Sequence, residues 1–450
     1  MKKLLIYICA MLLNGPIIWA VAQIDREVLT LEEAISLALE NNQSINILGK
    51  QVEIAENNVF RGNAGLLPTI SLIGSANYQT NDTEVRIRTF AENPASVSVQ
   101  DNAAASTTYS AALQAEYVIL GGFSGTYRFK LLQNQRDIAY FQQQALINNT
   151  VVAVSELFLQ LAKLQQQEEL LERNITTGEE RIKKVEDRFE YGQVSGLAIL
   201  QAKTNVNTDR SLLSSILLSK NELTSELNFL LGISADATYQ VQSTYTPPSP
   251  LSQEELITQL QALNPELQLA KAGIQVSENQ LRVSKAQQLP SLVAFASYGY
   301  FNQQNDLQQL ARIETLGPSV GLSLRYNLFT GGRAKRSIQN AQIGMEISKV
   351  QLQQAEDELI SNATKAQNNL YLLIGQLERE EQNISTFQEN YQRTEEKFFN
   401  GKVSSLDLRD AQNALLTAEI TLNNLKADIL ITSLQLQGIT GSLLQSLRGE

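Results

Sequence analysis

The chain has 450 residues, 43% of them apolar and only 6% aromatic, with a formal net charge of −11, no histidine and one cysteine. That length suffices for two or three ordinary domains, and the acidic balance, with no basic run, argues against nucleic acid, whose phosphates need clustered Lys and Arg. Lacking His, the chain cannot form a Ser-His-Asp triad, and with Cys9 alone it can form neither a disulfide framework nor the commoner zinc and copper sites, so no metal or cofactor is expected.

Lys2 and Lys3 precede an apolar stretch from Leu4 to Leu13 that Gly15-Pro16 interrupts, and Ala20-x-Ala22 suits signal peptidase. Residues 1–22 therefore read as an export signal, with Gln23 as the mature start; the run is short for a spanning helix. Next, LTLEEAISLALENNQSI places Leu31, Ala34, Ile35, Ala38 and Leu39 on one helical face and ends near Asn41-Asn42. A second helix is expected from about Ser44 to Pro68, where proline forbids its continuation.

Beyond Pro68 the period switches from 3.6 to 2. Ile70, Leu72, Gly74, Ala76 and Tyr78 alternate with mostly polar residues, predicting a strand over about 69–80. A polar loop, Asn81 to Thr108, leads to a second strand over about 108–120, with Tyr109, Ala111, Leu113, Ala115, Tyr117 and Ile119 on one face. After Gly121-Gly122, the stretch from about Ser124 to Phe189 contains no Pro and, past its first turn, only Gly178. This predicts one helix on the order of 100 Å long. Ile138, Phe141, Ala145, Val152, Leu159 and Ala162 give it a coiled-coil seam. The chain turns near Gly192 and returns as a helix from Leu197 to Leu231, and the segment 239–251, holding Pro247, Pro248 and Pro250, reads as a linker.

The whole order then recurs. Leu29 to Pro68 aligns without a gap on Leu251 to Pro290, matching Glu32 with Glu254, Glu33 with Glu255 and Asn42 with Asn264; YVILGG at Tyr117 echoes YNLFTGG at Tyr326, and FEYGQVS at Phe189 echoes FFNGKVS at Phe398. Residues 23–238 and 252–450 are accordingly expected to be two copies of one unit. The second copy predicts a helix ending at Pro290, strands over about 291–301 and 318–329, a loop from Asn302 to Leu316, a long helix from Arg333 to Phe398 and a tip near Gly401. Val293 and Phe295 fall on the strand face that is otherwise polar.

The class is thus mainly α with a small β part. Alternating strands of roughly ten residues suit a membrane barrel as well as a sandwich. A closed membrane barrel needs at least about eight strands, and open sheet edges are not tolerated in lipid. If these four cross a bilayer, several copies must close one barrel together.

On these residues the chain resembles the TolC-like outer-membrane efflux channel family. The resemblance is carried by LTLEEAISLALENN at Leu29 to Asn42, LLP at Leu66 to Pro68, QLP at Gln288 to Pro290, the pairs Gly121-Gly122 and Gly331-Gly332, and the two FxxGxVS turns. It implies a homotrimer with a twelve-stranded barrel in outer-membrane lipid and a helical tunnel crossing the periplasm. It also implies a periplasmic adaptor and an inner-membrane pump, of the RND, ABC or MFS type, as partners, with Pro68, Pro290, Gly121, Gly122, Gly331 and Gly332 at the helix–strand junctions.

The resemblance assigns Gly192, Val194, Ser195, Gly401, Val403 and Ser404 to adaptor contact at the tips. Glycine also serves a tight turn in its own right, although a turn by itself does not call for the Val-Ser pair. Asp407 and Asp410, spaced three apart on one helical face, match the family's acidic pair at the narrow entrance, where symmetry would stack rings of negative charge that select cations. Ser404-x-x-Asp407 reads equally as a capping box, and Arg409 is placed to weaken the field. The first-copy counterparts are Ala198 and Gln201. Two rival readings are a fibrous coiled-coil surface protein and an enzyme using paired carboxylates such as Glu32 and Glu33. No GxxxxGK[ST] phosphate cradle exists to supply energy.

Overall fold

The computed structural model describes residues 28–88, 96–242, 252–305 and 311–443. The export signal expected over 1–22, the proline-rich part of the linker and the tips of both strand-connecting loops lie outside the described residues. In chain order the elements are β1 (Val28–Leu29), α1 (Leu31–Asn41), α2 (Gln43–Asn58), β2 (Thr69–Arg88), β3 (Ser96–Gly121), α3 (Ser124–Glu190), α4 (Gly196–Leu231), β4 (Gln240–Val241), α5 (Gln253–Leu263), α6 (Pro265–Ala286), β5 (Ser291–Asn305), β6 (Arg312–Arg325), α7 (Arg333–Phe399) and α8 (Ser405–Thr440). They form two compact units, one of residues 1–51, 140–268 and 353–450, the other of residues 52–139 and 269–352.

The second unit holds one antiparallel sheet in the order β2-β3-β5-β6. Register segregates its faces: Ile70–Ala115–Ala296–Val320 form one cross-strand row, and Ser71–Gln114–Ser297–Ser319 form the adjacent row on the opposite side. The apolar rows are bare, with Leu72 78% and Val320 80% exposed. Phe295 sits in the row Thr69–Glu116–Phe295–Gly321. Its place there is made by Gly321, at which any Cβ would lie 2.4 Å from the Phe295 ring.

The strands outrun their expected ends. β2 continues to Arg88 and β3 begins at Ser96, so most of the polar stretch expected as loop is ladder. The reason is that backbone pairing needs no apolar side chain, and Val85↔Val99 and Ile87↔Val97 carry the alternation onward. β6 starts at Arg312, running through Pro318, and stops at Arg325 rather than Phe329. α2 likewise ends at Asn58, ten residues short of Pro68. The chain there turns through Gly65 at φ +72°, closed by the Leu66 amide on the Arg61 carbonyl at 2.9 Å. α6, which lacks that glycine, runs on to Ala286.

The first unit packs Leu29, Ala34, Ile35 and Ala38 against Val151, Val154, Phe158, Leu161, Leu227, Leu231 and Leu434. β1 pairs parallel with β4, so the start of the expected linker is a strand: Leu29 and Val241 are both buried, and burial ties that segment to the core. Thr30 and Glu33 form a capping box on α1, as Ser252 and Glu255 do on α5. One joint occurs twice. Asn42 donates Nδ2 to the Leu230 carbonyl and Asn264 to the Ile439 carbonyl, each at a helix–helix corner. Gly232 and Gly441, in left-handed backbone, lie so close to Asn41 and Leu263 that a Cβ would approach a carbonyl oxygen at 2.6 and 2.7 Å. Along α7 the expected seam is partly bare, with Ile343 and Val350 exposed.

Candidate functional site

Both helical hairpins turn by the same backbone device. At the first tip the Gly192 amide donates to Phe189 O and the Gln193 amide to Arg188 O; at the second, Gly401 donates to Phe398 O and Lys402 to Lys397 O, all at 2.9–3.0 Å. Each glycine has φ +70°, the left-handed helix stop that favours glycine. The Val-Ser pairs prove to have local uses as well, correcting the reading that a turn has none for them. Val194 and Val403 pack on a small apolar cluster of Val185, Phe398 and Leu408. Ser195 and Ser404 are the N-caps of α4 and α8.

The caps differ in chemistry. Ser404 closes a box: its amide and hydroxyl donate to the Asp407 carboxylate at 2.8 and 2.7 Å, and the Asp407 amide donates back to the hydroxyl at 3.2 Å. The Ser404 hydroxyl holds the Asp407 carboxyl below its ordinary range. Ser195, followed three residues later by Ala198, makes no side-chain cap bond. Asp407 and, one turn on, Asp410 are exposed, as are Leu406 on the same hairpin and Tyr191, Leu197 and Leu200 at the first tip. The tips are pinned together by Arg188, which donates to the Phe398 carbonyl at 3.1 Å and lies over the Phe398 ring, while Lys184 sits 4.1 Å from the Phe399 ring centre.

Arg409 does not neutralise its acidic neighbours. It turns inward and makes a bidentate pair with Asp209 at 2.8 and 2.6 Å. Asn174 donates to the same Asp209 carboxylate, Gln412 donates to Asn174, and Arg181 donates to Gln412. All five side chains are buried. Sequence reasoning missed this network, whose only signal is polar residues interrupting the apolar seams of α3, α4 and α8.

The junction residues lie where helix gives way to strand. Pro68 and Pro290 immediately precede β2 and β5, Gly121 ends β3, and Gly331-Gly332 precede α7. Gly122 is required twice over, by φ +60° and by the Ala286 carbonyl and Leu289 side chain, each 2.8 Å from where a Cβ would stand. Gly331, at φ +62°, has open space around it. Among the described residues no three His, Cys, Asp or Glu side chains gather as a metal site. What this geometry offers is electrostatic: exposed acids at the mouth of a hairpin pair.

Compared with known proteins, the chain matches the family described as outer membrane efflux protein over residues 34–232 and again over 256–442. It is 24% identical over 425 residues to the outer membrane protein TolC of Vibrio cholerae serotype O1, covering 92% of this chain and 91% of that protein. With the outer membrane efflux protein BepC of Brucella suis biovar 1 the identity is 20% over 440 residues, covering 96% and 89%. The solved structure of the outer membrane protein VceC from Vibrio cholerae superposes with a TM-score of 0.74 at 17% identity, covering 91% of this chain and 96% of that one.

Proposed function

Since this chain belongs to the outer membrane efflux protein family, we propose that it is a passive conduit, three copies of which close one barrel and one tunnel. It is an outer-membrane channel protein of the efflux and secretion class. The observation that carries the finer reading is the sheet: four strands with one bare apolar face and two unpaired outer edges, β2 and β6. Such a sheet is unstable in water by its face and in lipid by its edges. Joining the edges of three copies removes both faults, giving twelve strands with the Ser71–Gln114–Ser297–Ser319 row toward the lumen. A fibrous protein has no use for the bare rows.

In this reading the helical hairpins continue the pore, and the bare Ile343 and Val350 of α7 are covered by the neighbouring copy. A periplasmic adaptor docks at the tips around Gly192, Val194, Ser195, Gly401, Val403 and Ser404, bringing the channel to an inner-membrane pump that supplies the energy. Asp407 and Asp410 ring the entrance and favour cations. Their exposure, and the inward turn of Arg409, support that role, and capping by Asp407 is compatible with it because the capped carboxylate stays ionised. The test is conductance of the detergent-extracted protein in a planar bilayer, wild type against a double Asp407→Asn, Asp410→Asn variant. Cation preference should fall in the variant. An unchanged preference removes the ring while leaving the conduit, and absence of any conductance from the wild type removes both.

A further inference from the structure

The helix–strand junctions carry a charge pattern opposite to that of the whole chain. Residues 59–69, 121–135, 281–291 and 326–340, which hold the four junctions, contain eight Lys and Arg and no Asp or Glu, in a chain of net charge −11. Far apart in sequence, these cations are gathered at one end of the sheet. Arg128 and Lys130 lie in the first two turns of α3, Arg282 and Lys285 in the last two turns of α6, and Arg333, Lys335 and Arg336 open α7, while Arg61 belongs to the turn before β2. All eight are exposed, and none forms an ion pair among the described residues. The first acids met along the three helices are Asp137, Glu278 and Glu346, and Asp137 is already bound by Arg136 at 2.6 Å.

Two features indicate what faces this belt. The apolar side of the sheet runs down to it: Leu120–Leu292–Leu324 is the last apolar row at that end, with Leu324 70% exposed, and bare Phe123, Leu328 and Phe329 carry the surface into the junctions. At about 1.5 Å per helical residue the cations stand within about 10 Å of the strand ends. A headgroup layer is about 5–8 Å deep on each side of the hydrocarbon, and long cationic side chains reach back along apolar surface to meet it. Aromatic rings and cations at the rim of an apolar band are the pattern of a lipid–water interface. The second feature is the start of α7, where three cations stand in the first turn and no acid does. The helix dipole disfavours that arrangement, and α1, α5 and α8 all open on acids. Negative charge supplied from outside the chain offsets the cost.

Resting on the reading that the sheet crosses a bilayer, we propose that the belt is a docking surface for anionic phospholipid headgroups in the leaflet on the helical side. In the test, the purified full chain in detergent is equilibrated with equal amounts of phosphatidylglycerol and phosphatidylcholine of the same acyl chains. Retained lipid is measured by native mass spectrometry, and the same preparation is assayed for conductance. Wild type should retain phosphatidylglycerol in preference. That preference should weaken as salt rises from about 0.1 to about 1 M, where the screening length shrinks from about 10 to about 3 Å. Arg333→Gln with Arg336→Gln should reduce the preference about fivefold for each charge removed. It should not lower the thermal midpoint in phosphatidylcholine, since it relieves the start of α7. Lys349→Gln with Lys365→Gln, farther along the same helix, should keep the wild-type preference. Equal retention of the two lipids by wild type would overturn the proposal, as would an unchanged preference in the Arg333, Arg336 variant. So would displacement of phosphatidylglycerol by inorganic phosphate at constant ionic strength, which would mark a site for free anions. Conductance separates this proposal from the reading beneath it: a conducting protein indifferent to lipid charge removes the belt alone, and a non-conducting protein that still selects phosphatidylglycerol removes the conduit alone.

Discussion

Replacing Asp209 by leucine should destabilise the protein by about 3–5 kcal/mol, the cost of breaking a buried ion pair by removing one partner. The structure places it in that class. Asp209 is 4% exposed and accepts three hydrogen bonds, two from Arg409 and one from Asn174. Its loss strands Arg409 inside the unit, with Arg181 adding repulsion. The pair Arg210–Glu179, between α4 and α3, is an internal control: its side chains are 57% and 46% exposed, so Glu179→Gln should cost no more than about 1 kcal/mol. Combining Asp209→Leu with Arg409→Met removes both charges, and this double variant should recover most of the loss. Chemical denaturation of the detergent-solubilised protein reads all four species. The reasoning fails if Asp209→Leu behaves like Glu179→Gln, or if the double variant is as unstable as the single.

Ser404→Ala should reduce hydrogen-exchange protection in the first turn of α8, whereas Ser195→Ala should leave α4 unchanged, since only Ser404 makes a side-chain cap bond. The Ser404 effect is pH-dependent. A carboxyl held below its ordinary range in the folded state contributes stability above that range, near pH 4, and loses it as pH falls through the lowered value, so the two proteins should converge in acid. Gly331→Ala should lower the thermal midpoint by an amount corresponding to about 1–2 kcal/mol, the cost of left-handed backbone alone. Gly122→Ala should lower it further, because its Cβ also meets the Ala286 carbonyl and Leu289 at 2.8 Å.

Where the sequence was readable, a single residue dictated the local backbone. Pro68 and Pro290 stand immediately before their strands, and Gly192 and Gly401 at the helix stops, because proline and left-handed glycine leave the chain few alternatives. Far ends were less readable. Pro68 reads as the stop of α2, although the helix ends at Asn58 and the chain turns through Gly65, closed by Arg61 and Leu66, before it. The polar stretch after Gln79 reads as loop by composition, yet ladder hydrogen bonds run through it regardless of side-chain polarity. The buried network was hidden for another reason: Arg181 and Gln412 are 231 positions apart, and a charged residue on a helix ordinarily belongs to its solvated face.

The acids and arginine in the first turns of α8 alternate in sequence but separate in space. At 100° per residue, Asp407 and Asp410 lie about 60° apart around the helix, whereas Arg409 lies about 100° from Asp410 and about 160° from Asp407. One face therefore carries two carboxylates to solvent while the other carries the guanidinium into the core. That separation holds only while something inside receives Arg409, since a long cationic side chain released at a helix N-terminus would swing to the nearest carboxylate. Asp209 is the receiver, at 2.6 and 2.8 Å. Its position on α4 means that the first hairpin, which carries Ala198 and Gln201 where the second carries its acids, still governs the field around Asp407 and Asp410. It does so by keeping the neutralising charge buried.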